Sequence, residues 1–213
     1  MLKQMNIINK FIDTIRNAVK MVVHNIAVFL NRITGGKLSA NVITYVGLIT
    51  HVPIAWLIAQ QQNYFAAGLL VFFGLFDTLD GALARLQKTA GNQGMLLDAS
   101  TDRMKEVLLY TGAASALVAS GYASWAPWAV AACGASLVVS YVKAKGETAV
   151  AGGKLTANEI NRLFSDGLMR FEIRMFILVV GLLTNNLRYA LVFIAITSTF
   201  TAFGRLNKIS QKL

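Results

Sequence analysis

Apolar residues along this chain gather in six runs of about the length needed to cross a bilayer, parted by short polar connections. The runs lie at roughly Asn41–Gln60, Tyr64–Leu83, Leu96–Ser120, Trp125–Tyr141, Leu168–Leu183 and Tyr189–Phe203. Ahead of them the pattern changes. Met5, Ile8, Ile12, Ile15 and Val19 recur at steps of three and four, with Lys3, Lys10 and Lys20 elsewhere on the wheel. That period predicts an amphipathic helix lying in the membrane interface, an oligomer contact being the other use for such a face. Polar residues interrupt every apolar run of this segment, which argues against a cleavable signal peptide. Met21–Leu30 is too short to cross and is expected to continue along the surface. Gly35-Gly36 breaks it, and Ser39 is a good N-cap for the first span. The predicted fold is an all-α integral membrane protein with six transmembrane helices preceded by an amphipathic interfacial helix. Residues 1–37 form the juxtamembrane segment, 38–205 the six-helix domain and 206–213 a basic tail. A polar connection is expected over Thr148–Phe164, with a capping box at Thr156–Glu159.

Charge orients this bundle. The net charge of +10 would suggest a nucleic-acid partner in a soluble protein, but a chain that is 55% hydrophobic and 14% charged is too apolar for that class. With both termini on one side, 19 of the 20 Lys and Arg residues fall on that side, and only Arg188 falls opposite. The connections Gln60–Asn63 and Ser120–Ser124 carry no charge. This is the positive-inside asymmetry, so both termini are expected in the cytoplasm of a cell-membrane protein, with no nucleic-acid role. Cys133, the single cysteine, is a packing residue within a span.

Against that background the acids stand out. Asp77, Asp80, Gly81, Ala84 and Arg85 share one face of a helix, and Gly94, Asp98 and Asp102 share one face of the next. Between them LQKTAGNQ, with Gly91-Asn92, is a place to reverse direction, so the two acidic faces can meet. Asp77 comes some 20 Å of helix after the outer end of its span, which puts the acids towards the cytoplasmic mouth. Four carboxylates brought together repel unless a cation sits among them, and all-oxygen ligation favours magnesium, manganese or calcium over zinc. Helix-surface aspartates facing water are the bland alternative, but the spacing selects one face on both helices. Gly81 and Ala84 clear a groove beside the acids for a ring or ribose, and Arg85 offers a forked donor to phosphate. Together these point to a nucleotide diphosphate. Two metals can bridge carboxylates and pyrophosphate, and the last carboxylate can deprotonate an attacking hydroxyl.

Other polar residues have two readings each. Asn41 and Thr44 either cap the first span or contact a ligand. Arg170 and Arg174, with Lys143 and Lys145, either line a basic pocket or belong to the positive rim. Glu106 extends the second acidic stripe or pairs with Arg103 or Lys105. His24 reads as a plain interfacial histidine, and His51 with Pro53 as a kink with a satisfied side chain.

The spacing Asp77-x2-Asp80-Gly81-x2-Ala84-Arg85-x8-Gly94-x3-Asp98-x3-Asp102 resembles the complete signature of the CDP-alcohol phosphatidyltransferases. The resemblance implies an integral membrane enzyme that displaces CMP from a CDP-linked lipid or alcohol with two divalent cations, Mg2+ or Mn2+. It implies that Asp77, Asp80, Asp98 and Asp102 ligate metal and that Asp102 is also the general base. Gly81, Ala84 and Arg85 would contact the CDP moiety. Ser39–Thr44 resembles the family's opening of the first span, with Asn41 and Thr44 near the nucleotide and Ala40 in place of the usual proline. YVKAKGE resembles a stretch of phosphatidylinositol-phosphate synthases, with Lys145 where arginine is usual. GLMRFEIR resembles their fifth-span opening, with Arg170 displaced by one position. Lys143, Lys145, Arg170 and Arg174 would then hold the phosphate of the acceptor. The expected substrates are CDP-diacylglycerol and a small phosphorylated polyol, inositol phosphate first and glycerol 3-phosphate second, and a homodimer is expected from the resemblance. A divalent-cation transporter would need acids through both membrane halves and leaves Gly81, Ala84 and Arg85 unused. A catalytically silent lipid-binding relative is disfavoured by the intact acidic set.

Overall fold

The computed structural model describes residues 21–150 and 169–211. The amphipathic helix expected over Met5–Val19 and the Thr156–Glu159 cap lie outside these residues, as do Leu168 and the last two residues of the tail. Every regular element among the described residues is helical. They are α1 (Met21–Ile33), α2 (Ala40–Ala59), α3 (Asn63–Gly74), α4 (Phe76–Leu86), α5 (Asn92–Ala119), α6 (Ala126–Val150) after a 3-10 turn at Ala123–Trp125, α7 (Phe171–Leu183) and α8 (Leu187–Ser210).

Among the described residues four helices are long and apolar enough to cross a membrane: Ala40–Ala59, Asn63–Leu86, Ala123–Ala149 and Leu187–Ser210. They coincide with the first, second, fourth and sixth expected spans, and they make this an integral membrane protein. The third expected span lies in α5, which at 28 residues is roughly 42 Å long. Length is ample there, but Asp98, Asp102, Arg103, Lys105 and Glu106 make its first half polar. The fifth corresponds to α7, 13 residues long and so roughly 20 Å. Phe65, Val130 and Phe200 are each at least 70% exposed, as suits apolar side chains that face lipid.

Two boundaries differ from the sequence reading. α6 continues past Tyr141 to Val150, so the polar connection does not begin at Thr148. Lys, Ala and Glu are good helix formers, and Lys143 pairs with Glu147 one turn on at 3.7 Å. α8 likewise runs to Ser210, into the basic segment from 206.

The chain divides into two compact units. The first holds residues up to Thr50 and Phe72–Thr101. In it Val23 and Ala27 of α1 pack with Ile43 of α2 and with Leu79, Ala82 and Leu83 of α4. Gly35 and Gly36 take φ of +58° and +77°, the left-handed conformation that turns the chain from α1 into α2. The Gln87 amide closes this corner by donating to Asn31 Oδ1 at 2.9 Å and to the Leu38 carbonyl at 2.8 Å. Ser39 caps α2 as expected, its Oγ accepting from the Val42 N–H at 3.4 Å.

The second unit holds His51–Val71 and Asp102–Leu213. Here α6 and α7 pack on α8. Small residues allow the tightest crossings: a Cβ on Gly112 would run into the Ala55 carbonyl of α2, and one on Gly181 into Ala190 of α8. Gly134 has open space around it. We therefore expect Gly112→Ala to lower stability by about 1–3 kcal/mol through overpacking, read as the thermal unfolding midpoint in detergent. Gly134→Ala should leave that midpoint unchanged or slightly raised.

Candidate active site

The acidic stretch begins where α3 gives way to α4. α4 turns Leu79 and Leu83 into the core of the first unit and carries Asp80 on an adjoining strip of the same face, so the carboxylate is only 6% exposed. Thr44 of α2 donates its hydroxyl to Asp80 Oδ2 at 2.6 Å, and the Gly81 N–H donates to Oδ1 at 2.5 Å. The same hydroxyl lies 3.2 Å from the Ala40 carbonyl one turn back, so Thr44 serves both its own helix and an acid of the signature. Asn41, one turn earlier, is partly exposed.

No Lys or Arg among the described residues pairs with Asp80. The charges of Asp98 and Asp77 instead bear on it, and both of those residues are partly exposed. The turn expected at LQKTAGNQ is present, with α5 beginning at Asn92. Among the described residues no three His, Cys, Asp or Glu side chains are drawn into a ready metal cage. The donor set nevertheless fits a hard divalent cation: the donors are carboxylate oxygens, and the buried one has no Lys or Arg paired to it among the described residues.

Gly81 and Arg85 meet one turn apart on α4. Arg85 Nη1 lies 3.4 Å from the position a Gly81 Cβ would take, so the exposed guanidinium rests over the glycine. Ala84 lies partly buried beside them. Neither Gly81 nor Gly94 has a left-handed backbone. A Cβ at Gly81 would meet only the movable end of Arg85, and one at Gly94 would meet nothing within 4 Å. The fold itself does not require these glycines.

Asp102 follows Asp98 by one turn of the continuous helix α5. In the second unit it is flanked by Lys105 Nζ at 3.4 Å and Arg103 Nη2 at 3.7 Å. Lys105 is fully buried. Glu106, also fully buried, accepts from Arg174 Nε at 2.7 Å and Nη2 at 3.0 Å, and from Arg103 Nη1 at 3.1 Å. Arg174 Nη1 donates to the Met169 carbonyl at 2.5 Å. Arg103 also reaches Ser140 and stacks over Phe171 at 5.2 Å. Glu106 thus pairs with Arg103, one of the partners expected for it, and with Arg174, which no local spacing signals.

The four cations expected around an acceptor are disposed differently from one another. Arg170, Lys143 and Lys145 are exposed, while Arg174 is 1% exposed and closed on Glu106. Lys143 and Lys145 stand two residues apart on α6 and so point to different sides of it. His51 is buried and engaged, with Pro53 inside α2 two residues on. His24 is exposed on α1.

Glu106 is the carboxylate paired with the fully buried Arg174, so removing it strands that arginine. Glu106→Ala should cost about 3–5 kcal/mol, measured by unfolding in detergent. Replacing Glu106 and Arg174 together by methionine should recover part of that loss.

Sequence comparison finds that the model of the CDP-alcohol phosphatidyltransferase family matches residues 37–203. The phosphatidylinositol phosphate synthase of Corynebacterium glutamicum is 32% identical over 138 residues, which is 62% of this chain and 60% of that protein. The match thus spans about 60% of the length of this curated relative. Among solved structures, the Mycobacterium tuberculosis phosphatidylinositol phosphate synthase with CDP-DAG bound superposes with a TM-score of 0.75 at 24% identity, covering 89% of this chain and 94% of that one. The same enzyme in complex with manganese and citrate gives 0.74 at 24% identity, covering 88% of each chain.

Proposed function

Because the chain belongs to the CDP-alcohol phosphatidyltransferase family, we propose that it transfers a phosphatidyl group from CDP-diacylglycerol to the hydroxyl of inositol phosphate, releasing CMP. The observation that carries this reading is Asp80: a buried carboxylate of the signature, held by Thr44, with no cation among the described residues paired to it. The names of the similar synthases support inositol phosphate over glycerol 3-phosphate as acceptor.

In this reading Asp77, Asp80, Asp98 and Asp102 hold two divalent cations, Mg2+ or Mn2+. The manganese complex of the similar synthase supports that choice. When bound, such ions neutralise the pyrophosphate and stabilise departing CMP. The chain's own residues do the rest. Thr44 fixes the Asp80 carboxylate. Arg85 donates to pyrophosphate oxygens from above Gly81, whose missing side chain lets the nucleotide approach the helix, with Asn41 and Ala84 beside it. Asp102 takes the proton from the acceptor hydroxyl as its oxygen bonds to the phosphorus bearing diacylglycerol and the bond to CMP breaks. Cations from among Lys143, Lys145, Arg170 and Arg174 meet the acceptor phosphate, with Glu106 setting the direction of Arg174. We further propose six spans, α5 and α7 completing the four apolar ones, an interfacial helix before α1, and a six-helix domain over 38–205. The active site and both termini face the cytoplasm, and the enzyme is a homodimer in the cell membrane.

The test is CMP release by purified protein from CDP-diacylglycerol with Mg2+ or Mn2+, offering inositol phosphate, glycerol 3-phosphate, serine and inositol separately. Metal-dependent release with inositol phosphate alone is expected, and release with none of the four would sink the proposal. Asp102→Asn should lower kcat by at least about 100-fold. Gly81→Ala should abolish most activity while leaving the protein as stable or about 0.5–1 kcal/mol more so, because only the ligand needs the glycine.

A further inference from the structure

Within the second unit, a polar cavity lies at the end of α5 away from Asp102. Its volume is about 110 Å³, and its polar lining comes from Gln61, Asn63, Ser120, Tyr122, Asn185 and Arg188. Roughly 21 Å of α5 separates Asp102 from the cavity wall at Ala116. This site is therefore independent of the transferase chemistry.

Two groups in it ask for a ligand of one kind. Arg188, in the first turn of α8, lies 4.4 Å from the ring centre of Tyr122, 4.8 Å from Tyr189 and 5.7 Å from Trp125. Stacking covers the flat faces of a guanidinium and leaves its N–H edge for an in-plane acceptor. The connections at this end contain no Asp or Glu, and no carboxylate among the described residues pairs with Arg188. The second group is an amide. Asn63 Nδ2 donates to Asn185 Oδ1 at 2.9 Å, and Asn185 Nδ2 donates to the Tyr64 hydroxyl at 3.1 Å. That chain of bonds fixes the Asn63 amide and leaves its Oδ1 buried without a donor. The cavity thus pairs a cation lacking an anion with an acceptor lacking a donor.

We propose that this cavity is a second phosphate-binding site, which takes the headgroup phosphate of a membrane phospholipid on the Arg188 fork. A hydroxyl or ammonium next to that phosphate donates to Asn63 Oδ1. The surroundings favour a lipid over free phosphate: Tyr122, Trp125 and Tyr189 are the aromatic residues of a membrane interface, and Ala116, Leu117 and Leu187 give the cavity an apolar wall.

The test follows thermal unfolding of the purified full chain in detergent while titrating short-chain phosphatidylglycerol, diacylglycerol with the same chains, or inorganic phosphate. Phosphatidylglycerol should stabilise the parent saturably, with an apparent affinity at least about tenfold weaker in Arg188→Gln. Diacylglycerol should show no Arg188-dependent effect. Arg188→Lys keeps the charge and loses the planar fork, so its affinity should fall between the two, and it carries the comparison if Arg188→Gln does not fold. Binding at the aspartate end is common to all variants and cancels. An Arg188-dependent response to inorganic phosphate alone supports the site and assigns its phosphate to solution. Equal affinity of the parent and both variants for every ligand overturns the proposal and leaves the cavity to water.

Discussion

Asp80 sets a carboxylate inside an apolar helix where solvent hardly reaches it, and the groups that meet it in the structure are one hydroxyl and one backbone N–H. A charged side chain costs roughly 2.5–3.5 kcal/mol at the bilayer centre on insertion scales, and a buried carboxylate nearer the mouth still pays for lost hydration. Two hydrogen bonds reduce that cost without cancelling the charge. Much of the first unit can be read as the apparatus that keeps Thr44 at Asp80. The Gly35-Gly36 turn brings α2 back after α1, the Val23–Ala27 face of α1 packs on Ile43, Leu79 and Leu83, and Gln87 ties the end of α4 to that corner.

Glu106 solves the same problem in the opposite way. It too is buried, but the fold delivers two arginines to it, and the side-on Arg174 pair uses both carboxylate oxygens. This pair ties α5 to α7 and fixes the direction of Arg174. No cation among the described residues pairs with Asp80. The contrast is between an acid paired internally with arginine and one met, among the described residues, by a hydroxyl and an N–H, and it is the second that the proposed metal site would use.

The cations divide similarly. Lys105 and Arg174 are buried inside the second unit, while Lys143, Lys145 and Arg170 are exposed. At the remote end Arg188 has aromatic faces around it and no acid in its connections. Its position runs against the charge asymmetry of the rest of the chain, and an anion from the bilayer gives it a reason to be there.

Features that depend on neighbours along the helix were legible from residues alone. The apolar runs of α2, α3–α4, α6 and α8, the Ser39 cap, the reversal before Asn92 and the shared faces of the signature residues all follow from steps of three and four or from local turn chemistry. The extension of α6 to Val150 was obscured because Lys and Glu suit a solvated loop as well as a helix. Tertiary structure alone decided that Thr44 serves Asp80 across 36 residues and that Arg174 closes on Glu106 across 68. It also decided that Lys105 is buried beside Asp102, and that Gly112 stands against α2 whereas Gly81 has room to spare. Periodicity states which side of a helix a residue occupies; which element comes to lie against that side depends on packing between segments far apart in the chain, and no local spacing records it.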